Sequence, residues 1–384
     1  MSATGDPNAR QPTNYAQAEG HRLAFELANW VPKADREQLP IYTAVGRLAA
    51  ESPELLATYD AVEPSRRHPG LLFGAVHYLL LEGADHPLAD HLASVRWYRG
   101  REDAAPLGDP VEAFCDFLKA FSGPVQATMA THEVQTNEVG RLAYLSPAIA
   151  VAQAELGDAA VLVDLGCSAG LNLAPHLATT TYVEANGDER LVGNPANRLQ
   201  LRSKLHGSGS PAAAAAPQHA LGIDLRPVDL RQGDAARWLL ALTWAEDLPR
   251  FQRTASAIEA LIEQPIPPQL VAASMTEVEG VVGPRFGDAP VVVVNSWSAA
   301  YLNEAEQQQL SASIAELAST RPVRWVVAEH PKAVPGLPID HSALPTNGST
   351  GVYLLNPAEP AKARRLAEAH PHGRWVHWGD LGAS

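Results

Sequence analysis

The sequence predicts an α/β chain, an all-α N-terminal region followed by a mostly parallel, doubly wound sheet. Three observations carry this. From Tyr15 to about Leu156 apolar residues follow helical spacing, with no convincing alternating strand. After residue 160, short apolar runs recur at 161–165, 219–224, 269–273, 290–295, 323–328, 351–355 and 374–378, several of them separated by helical patterns. The first run, Val161 to Leu165, passes into a turn of small residues, Gly166-Cys-Ser-Ala-Gly170, after which a helix is expected. The chain accordingly reads as a disordered lead-in at 1–13, a helical domain at 14–157 and an α/β domain at 158–384.

Within the helical part, Ser52-Pro53 and Ser146-Pro147 each read as an N-cap followed by proline at the first helical position. Leu71 to Leu81 is apolar on nearly all sides, the pattern of a central helix buried by its neighbours. Trp97, Tyr98, Phe114, Phe117, Leu118 and Phe121 supply the aromatic and apolar filling. Further on, Asn303 with Glu306 resembles a capping box that opens a helix running to about Ser319. Thr179–Val183 and Leu199–Leu205 flank a Gly/Asn/Pro stretch, which predicts an inserted β-hairpin. Gly207 to Pro217 is low in complexity and reads as a flexible surface loop, so the insertion covers about 179–217.

Composition narrows the function. A chain of 384 residues, 46% hydrophobic, can bury a sizeable core. Its net charge of −14 argues against a non-specific grip on phosphates, so no nucleic-acid partner is expected. No run of about 18 apolar residues occurs, so no membrane span is expected. The two cysteines, Cys115 and Cys167, are too few for a disulfide framework, and neither they nor the histidines show metal-ligand spacing. The polar start of the chain lacks an apolar signal core, and the expected location is the cytoplasm.

The turn after Val161–Leu165 is the most informative stretch. Strand, glycine turn and helix in that order bring backbone N–H groups and a helix N-terminus to a ligand. Asp164 meets whatever sits above the turn. The pattern resembles motif I of the class I S-adenosylmethionine-dependent methyltransferases, an acid followed by Gly-x-Gly-x-Gly, with Ser168 at the second glycine. On that resemblance the cofactor is S-adenosylmethionine and the fold a Rossmann-like methyltransferase core. Asp164, Gly166, Ser168, Gly170 and Asn172 are then its binding candidates. The same five residues also spell Gly-x-Ser-x-Gly, the nucleophile elbow of α/β-hydrolases, so a serine hydrolase using Ser168 is an alternative. The plain alternative is a turn that needs small residues only for packing.

Other candidates follow from strand ends. Gly222-Ile-Asp-Leu-Arg-Pro227 is similar to the second strand end of nucleotide-binding folds, where a carboxylate accepts from ribose hydroxyls. Asp224 is favoured for that role over Glu184 and Asp188. It lies 54 residues beyond Gly170, against the ~20 of the dinucleotide fingerprint, and the insertion accounts for the excess. A turn-capping aspartate before Pro227 is the alternative. In Val134-Gln-Thr-Asn-Glu-Val-Gly-Arg141, the side chains of Gln135, Asn137, Glu138 and Arg141 are pocket candidates or a solvated helix start. Asn295 and Ser296 end a buried strand where a substrate would touch them. Glu329 and His330 end the next strand and are the candidates for proton removal, with a structural histidine as the alternative. Asn295-Ser-Trp lacks the Asn/Asp-Pro-Pro-aromatic pattern of amino-methylating enzymes, and a small-molecule acceptor is expected.

Several of these segments together resemble the bacterial family known as domain of unknown function 2332 (DUF2332). They are Pro69–Tyr78, Val134–Arg141, Ser168–Leu173, Gly222–Leu230, Val292–Ser296 and Ala300–Leu302, within a likeness over roughly residues 15 to 380. The resemblance implies a methyltransferase-like core behind a helical region and brings no reaction or substrate. Where family members carry a Gly-Asp pair this chain ends Leu270-Val-Ala-Ala-Ser274, so Ser274 would replace an acid that contacts the adenine amino group. A non-catalytic binding or regulatory protein on a degenerate methyltransferase scaffold is the further alternative.

Overall fold

The computed structural model describes residues 21–135, 137–157, 160–341, 348–359 and 363–379; the expected lead-in at 1–13 lies outside them. Contacts divide the chain into two compact units, Met1–Thr136 with Ala236–Gln252 and Asn137–Ala235 with Arg253–Ser384.

The first unit is helical: α1 (Arg22–Arg36), α2 (Pro40–Glu51), α3 (Pro69–Glu82), α4 (Leu88–His91), α5 (Ala93–Tyr98), α6 (Pro110–Ala120) and α7 (Ser122–Thr131). The expected central helix is α3, buried on nearly all sides, with Pro69 in its first turn and the His68 side chain accepting from Gly70 N. Tyr42 stacks on Phe73 at 4.0 Å, Trp30 tilts onto the pair, and Phe114 and Trp244 meet it edge-on. Two polar groups, the buried His77 and the half-buried Glu246, are matched here. His77 Nδ1 lies 3.1 Å from the carbonyls of Ala241 and Thr243, which makes it the protonated nitrogen and leaves Nε2 to accept from Ser94 Oγ at 3.0 Å. Glu246 accepts from the N–H groups of Ile41 and Tyr42, at 2.9 and 3.0 Å.

The second unit contains α8 (Leu142–Leu156) and eleven strands: β1 (Val161–Leu165), β2 (Ala178–Val183), β3 (Glu189–Val192), β4 (Leu199–His206), β5 (Ala220–Asp224), β6 (Gln269–Ala272), β7 (Val291–Ser296), β8 (Val323–Glu329), β9 (Thr350–Leu355), β10 (Arg364–Ala369) and β11 (Trp375–Trp378). Between β5 and β6 come α9 (Ala235–Ala241), which belongs to the helical unit from Ala236 on, and α10 (Leu248–Ile262), which crosses the division between units after Gln252. Between β6 and β8 come α11 (Val278–Phe286) and α12 (Glu304–Thr320).

These strands form one open, mostly parallel sheet in the order β3-β2-β4-β11-β10-β9-β8-β7-β1-β5-β6. β6, β5, β1, β7 and β8 run parallel. Counted along the chain, that segment reads third, second, first, fourth, fifth, and the order reverses between β1 and β7. Both faces are covered, which is why β1, β7 and β8 are almost continuously apolar. Val161, Val163, Val291, Val293 and Val327 pack with Val278 and Val282 of α11 and Leu310, Ile314 and Leu317 of α12. The alternate residues face α8, which packs on β7, β8 and β9. The capping box at Asn303 and Glu306 forms and opens α12.

Five expectations are corrected. No α-helix follows the glycine turn: two 3-10 turns, Leu171–Leu173 and Pro175–Leu177, lead straight into β2. Pro175 blocks the helical hydrogen bond and the β-branched run Thr179–Thr181 favours a strand. The inserted hairpin is β2 with β3, which pair antiparallel, whereas β4 lies parallel to β2. Segment 207–217 has firm anchors: Ala214 N donates to Ser146 Oγ, and Ala215 exchanges two bonds with Gln153 of α8. Pro147 sits inside α8 rather than at its start. The carbonyl it deprives of a partner, that of Ala143, accepts from Tyr182 Oη at 2.5 Å instead. Finally, β10 was not expected, because Arg-Arg-Leu-Ala-Glu-Ala lacks β-branched residues. It becomes a strand by pairing antiparallel with β9 and β11 on either side.

Candidate functional site

β1 is flanked by β5 and β7, so their carboxyl ends present three candidate segments side by side. The turn after β1 takes its shape from positive φ at Gly166 (+76°), Ser168 (+51°) and Gly170 (+74°). Gly166 is required by the protein's own packing: a Cβ there would lie 2.4 Å from Ser298 Cβ. The turn's N–H groups are mostly spent inside the protein. Gly166 N donates to Ile223 O, Ser168 N to Asp224 Oδ2 at 2.9 Å, Gly170 N to Cys167 O and Leu171 N to Asn137 Oδ1 at 3.0 Å. With no helix behind it, the turn is not the cradle of free donors that strand, turn and helix would make.

Asp224, far away in sequence, is therefore brought onto the turn, and its other oxygen accepts from Arg226 N at 2.9 Å. It shapes the turn as a cap would. Asn137 holds the end of the same turn at Leu171.

Asp164 stands apart. It is 96% buried, and no hydrogen bond reaches its carboxylate among the described residues. Burial pushes its carboxyl up to about 7; the Arg141 charge pulls it down and Asp224 pushes it further up. Nearby, Asn172 Oδ1 is buried without a partner among the described residues. A cleft of about 340 Å³ opens beside the turn, lined by Ala169, Val228, Asp229, Leu230, Leu261 and Leu270 among others.

Beyond the turn, Arg141 Nη1 donates to Ser296 O at 2.8 Å and its Nε reaches Pro371 O at 3.4 Å. Asn295 is fully buried and serves the core. Its Oδ1 accepts from Trp325 Nε1 at 2.8 Å, and its Nδ2 donates to Ser298 Oγ at 3.1 Å. Glu329, also fully buried, accepts through Oε1 from Ser298 N and Ala299 N and holds the loop after β7. Its Oε2 has no partner among the described residues, and burial pushes the carboxyl up to about 7. The His330 side chain caps a short turn by accepting from Lys332 N. Ser274 caps the turn after β6 in a capping box with Glu277. Gln135 falls in the helical unit, so the sheet unit gathers every other candidate.

A further histidine of this region comes from the turn after β10. His372 Nδ1 lies 3.1 Å from Glu138 Oε2, and Glu138, 98% buried, also accepts from Gly140 N at 2.9 Å. His370-Pro-His-Gly-Arg374 is a recognisable turn. It could be assigned to the carboxyl edge of the sheet only with β10 recognised before it.

No curated protein matches this chain. A family model described as an uncharacterised protein conserved in bacteria, DUF2332, matches residues 26–378, and the chain belongs to that family.

Proposed function

We propose that this chain binds S-adenosylmethionine at the carboxyl ends of β1 and β5 and methylates a small-molecule acceptor. The observation that carries the reading is Asp164, a buried carboxylate with no hydrogen-bond partner among the described residues. Burying a charge in that state is costly, and a ligand ammonium would supply what is missing. Two further features support it. The reversal of strand order between β1 and β7 is the switch point at which open α/β sheets bind ligands, and in this reading the five parallel strands are a Rossmann-type methyltransferase core. The cleft beside Ala169 is at the lower end of ligand-pocket volumes and mixes apolar walls from Val228, Leu230 and Leu270 with the polar side chains of Asp229, Arg231 and Gln232.

The residues present suit the cofactor in part. Asp164 would take its ammonium and Asn172 Oδ1 can accept a further donor. Asp224 accepts one N–H on each oxygen and retains lone pairs for ribose hydroxyls. S-Adenosylmethionine, when bound, supplies an electrophilic methyl group. The chain's contribution is alignment and exclusion of water, which asks for no diagnostic catalytic side chain.

A second reading, ligand binding without turnover, is favoured by two specific observations: the turn's N–H groups are consumed internally, and Ser274 is spent as a cap. A serine hydrolase draws little support, because Ser168 is 95% buried and no helix follows it as an elbow requires. Calorimetric titration with S-adenosylmethionine and S-adenosylhomocysteine tests the proposal, and binding of both is expected. No heat with either ends the cofactor reading. Binding without methyl transfer to a panel of small amines, alcohols and thiols favours the non-catalytic one.

A further inference from the structure

We propose that Arg141 is the carboxylate receptor of this site, so that Asp164 and Arg141 together hold the α-amino-acid end of the ligand as a zwitterion, ammonium on the first and carboxylate on the second. The proposal rests on the cofactor reading and deepens it by naming the residue that selects a ligand with a free carboxylate.

Three observations converge on the residue. The first is its uncommitted charge. The half-buried guanidinium donates from Nη1 to Ser296 O at 2.8 Å and from Nε to Pro371 O at 3.4 Å, both neutral carbonyls. No carboxylate pairs with it among the described residues. A guanidinium carries N–H donors on all three nitrogens, so the whole of Nη2 is left to bind an anion.

The second is position. Val161, Val163 and Leu165 pack on α11 and α12, so Asp164 faces the other side of the sheet, the side that α8 covers. By the same alternation Val291 and Val293 face α11 and α12, and Ser296 faces α8. Arg141 immediately precedes α8 and reaches the end of β7 at Ser296. In the register of β1 with β7, Asp164 is paired with Val294, and Ser296 is two residues further on. Strand spacing and rise put Asp164 and Ser296 about 8 Å apart across the sheet. An α-ammonium and an α-carboxylate, each with one hydrogen bond outward, span roughly that distance.

The third is charge complementarity. Asp164 and Glu329 are carboxyl groups that the Arg141 charge reaches, and neither is bonded to it. Asp164 keeps no hydrogen-bond partner among the described residues. Cation and carboxyl thus share one region without closing on each other. A ligand that carries one charge of each sign completes both at once. A lone ammonium or a lone carboxylate would meet one of the pair and be opposed by the other.

The test is a calorimetric cycle of two proteins and two ligands. Full-length wild type and Arg141→Gln are each titrated with S-adenosylhomocysteine and with its decarboxylated analogue, which keeps the ammonium and lacks the carboxylate. The wild type should bind the analogue about ten- to a hundredfold more weakly. Arg141→Gln should weaken S-adenosylhomocysteine by a similar factor and leave the analogue nearly unchanged, and Arg141→Lys should recover part of the loss. Equal affinity of the wild type for the two ligands overturns the assignment, whether or not the variants fold. A variant that weakens both ligands alike also overturns it, because a purely structural Arg141, tying Ser296 to Pro371, would do just that. No heat from either ligand with the wild type removes the cofactor reading, and this assignment with it.

Discussion

In the helical unit, the buried His77 ring meets two carbonyls and a hydroxyl, and the half-buried Glu246 meets two backbone N–H groups. In the sheet unit, Asp164 meets no hydrogen-bond partner among the described residues, and Asn172 Oδ1 and Glu329 Oε2 are likewise unmatched. Native proteins match nearly all buried polar atoms, so a matched group reads as structure and an unmatched one asks for a reason. Thr43 Oγ1 and Arg96 Nε in the helical unit, and Ser203 Oγ and Tyr353 Oη among others in the sheet unit, also lack a partner among the described residues. What sets Asp164, Asn172 and Glu329 apart is their place at the carboxyl ends of β1 and β8 and in the turn just past β1, where an open α/β sheet holds its ligand. The comparison marks Asp164 and Asn172 as the groups to test.

The largest effect should come where the sheet unit is as tightly matched as the helical one. Gly373→Ala puts a Cβ 1.8 Å from Gly140 O at a φ of +67°, and should cost roughly 3–5 kcal/mol or prevent folding. Gly187→Ala, at φ +88° but in open space, should cost only about 1 kcal/mol. Denaturant melts of the two variants compare them directly.

Next come two substitutions expected to act with opposite sign. His77→Ala strands Ala241 O, Thr243 O and Ser94 Oγ and should destabilise by roughly 2–4 kcal/mol. Asp164→Asn removes a buried carboxylate that has no hydrogen-bond partner among the described residues and that the Arg141 charge offsets only in part, and should stabilise by roughly 1–3 kcal/mol at pH 8. A destabilised Asp164→Asn would break the comparison.

The same pair should separate by pH. Burial lowers His77 from 6.5 to about 4, so its stability contribution is complete above pH 6.5 and is lost as pH falls toward 4. Asp164 moves the other way, from 3.8 to about 7: its contribution is complete below about pH 4 and is lost as pH rises through 7. Stability measured between pH 4 and 8 should lose its acid-side slope in His77→Gln and its alkaline-side slope in Asp164→Asn.

How far all this was legible in the sequence depended on whether local pattern and pairing agreed. Val161–Leu165, Val291–Ser296 and Asn303–Glu306 declare their structure in apolar runs or a capping pair, and form as expected. Asp224 was placed beside the glycine turn because a doubly wound sheet puts its second strand next to its first. Arg364–Ala369 carries no such signal. Its strand exists only through its neighbours, and without it His372 had no address. The roles of Asn295 and Ser274 were equally hidden, since a polar residue at a strand end looks the same whether it turns to a ligand or to Trp325.

The smallest effect belongs to Ser168→Ala. It should shift stability by under about 1 kcal/mol, and a fluorophosphonate probe should label neither form. Labelling of the wild type alone would return the hydrolase to first place.

The most direct test of the central claim is the thermal melt of wild type and Asp164→Asn at pH 8, each with and without S-adenosylhomocysteine. If Asp164 waits for a ligand ammonium, the variant melts higher than the wild type when both are free. It also loses most of the ligand-induced rise, as affinity falls about ten- to a hundredfold. A variant that melts lower when free, or that keeps the full rise, contradicts the account.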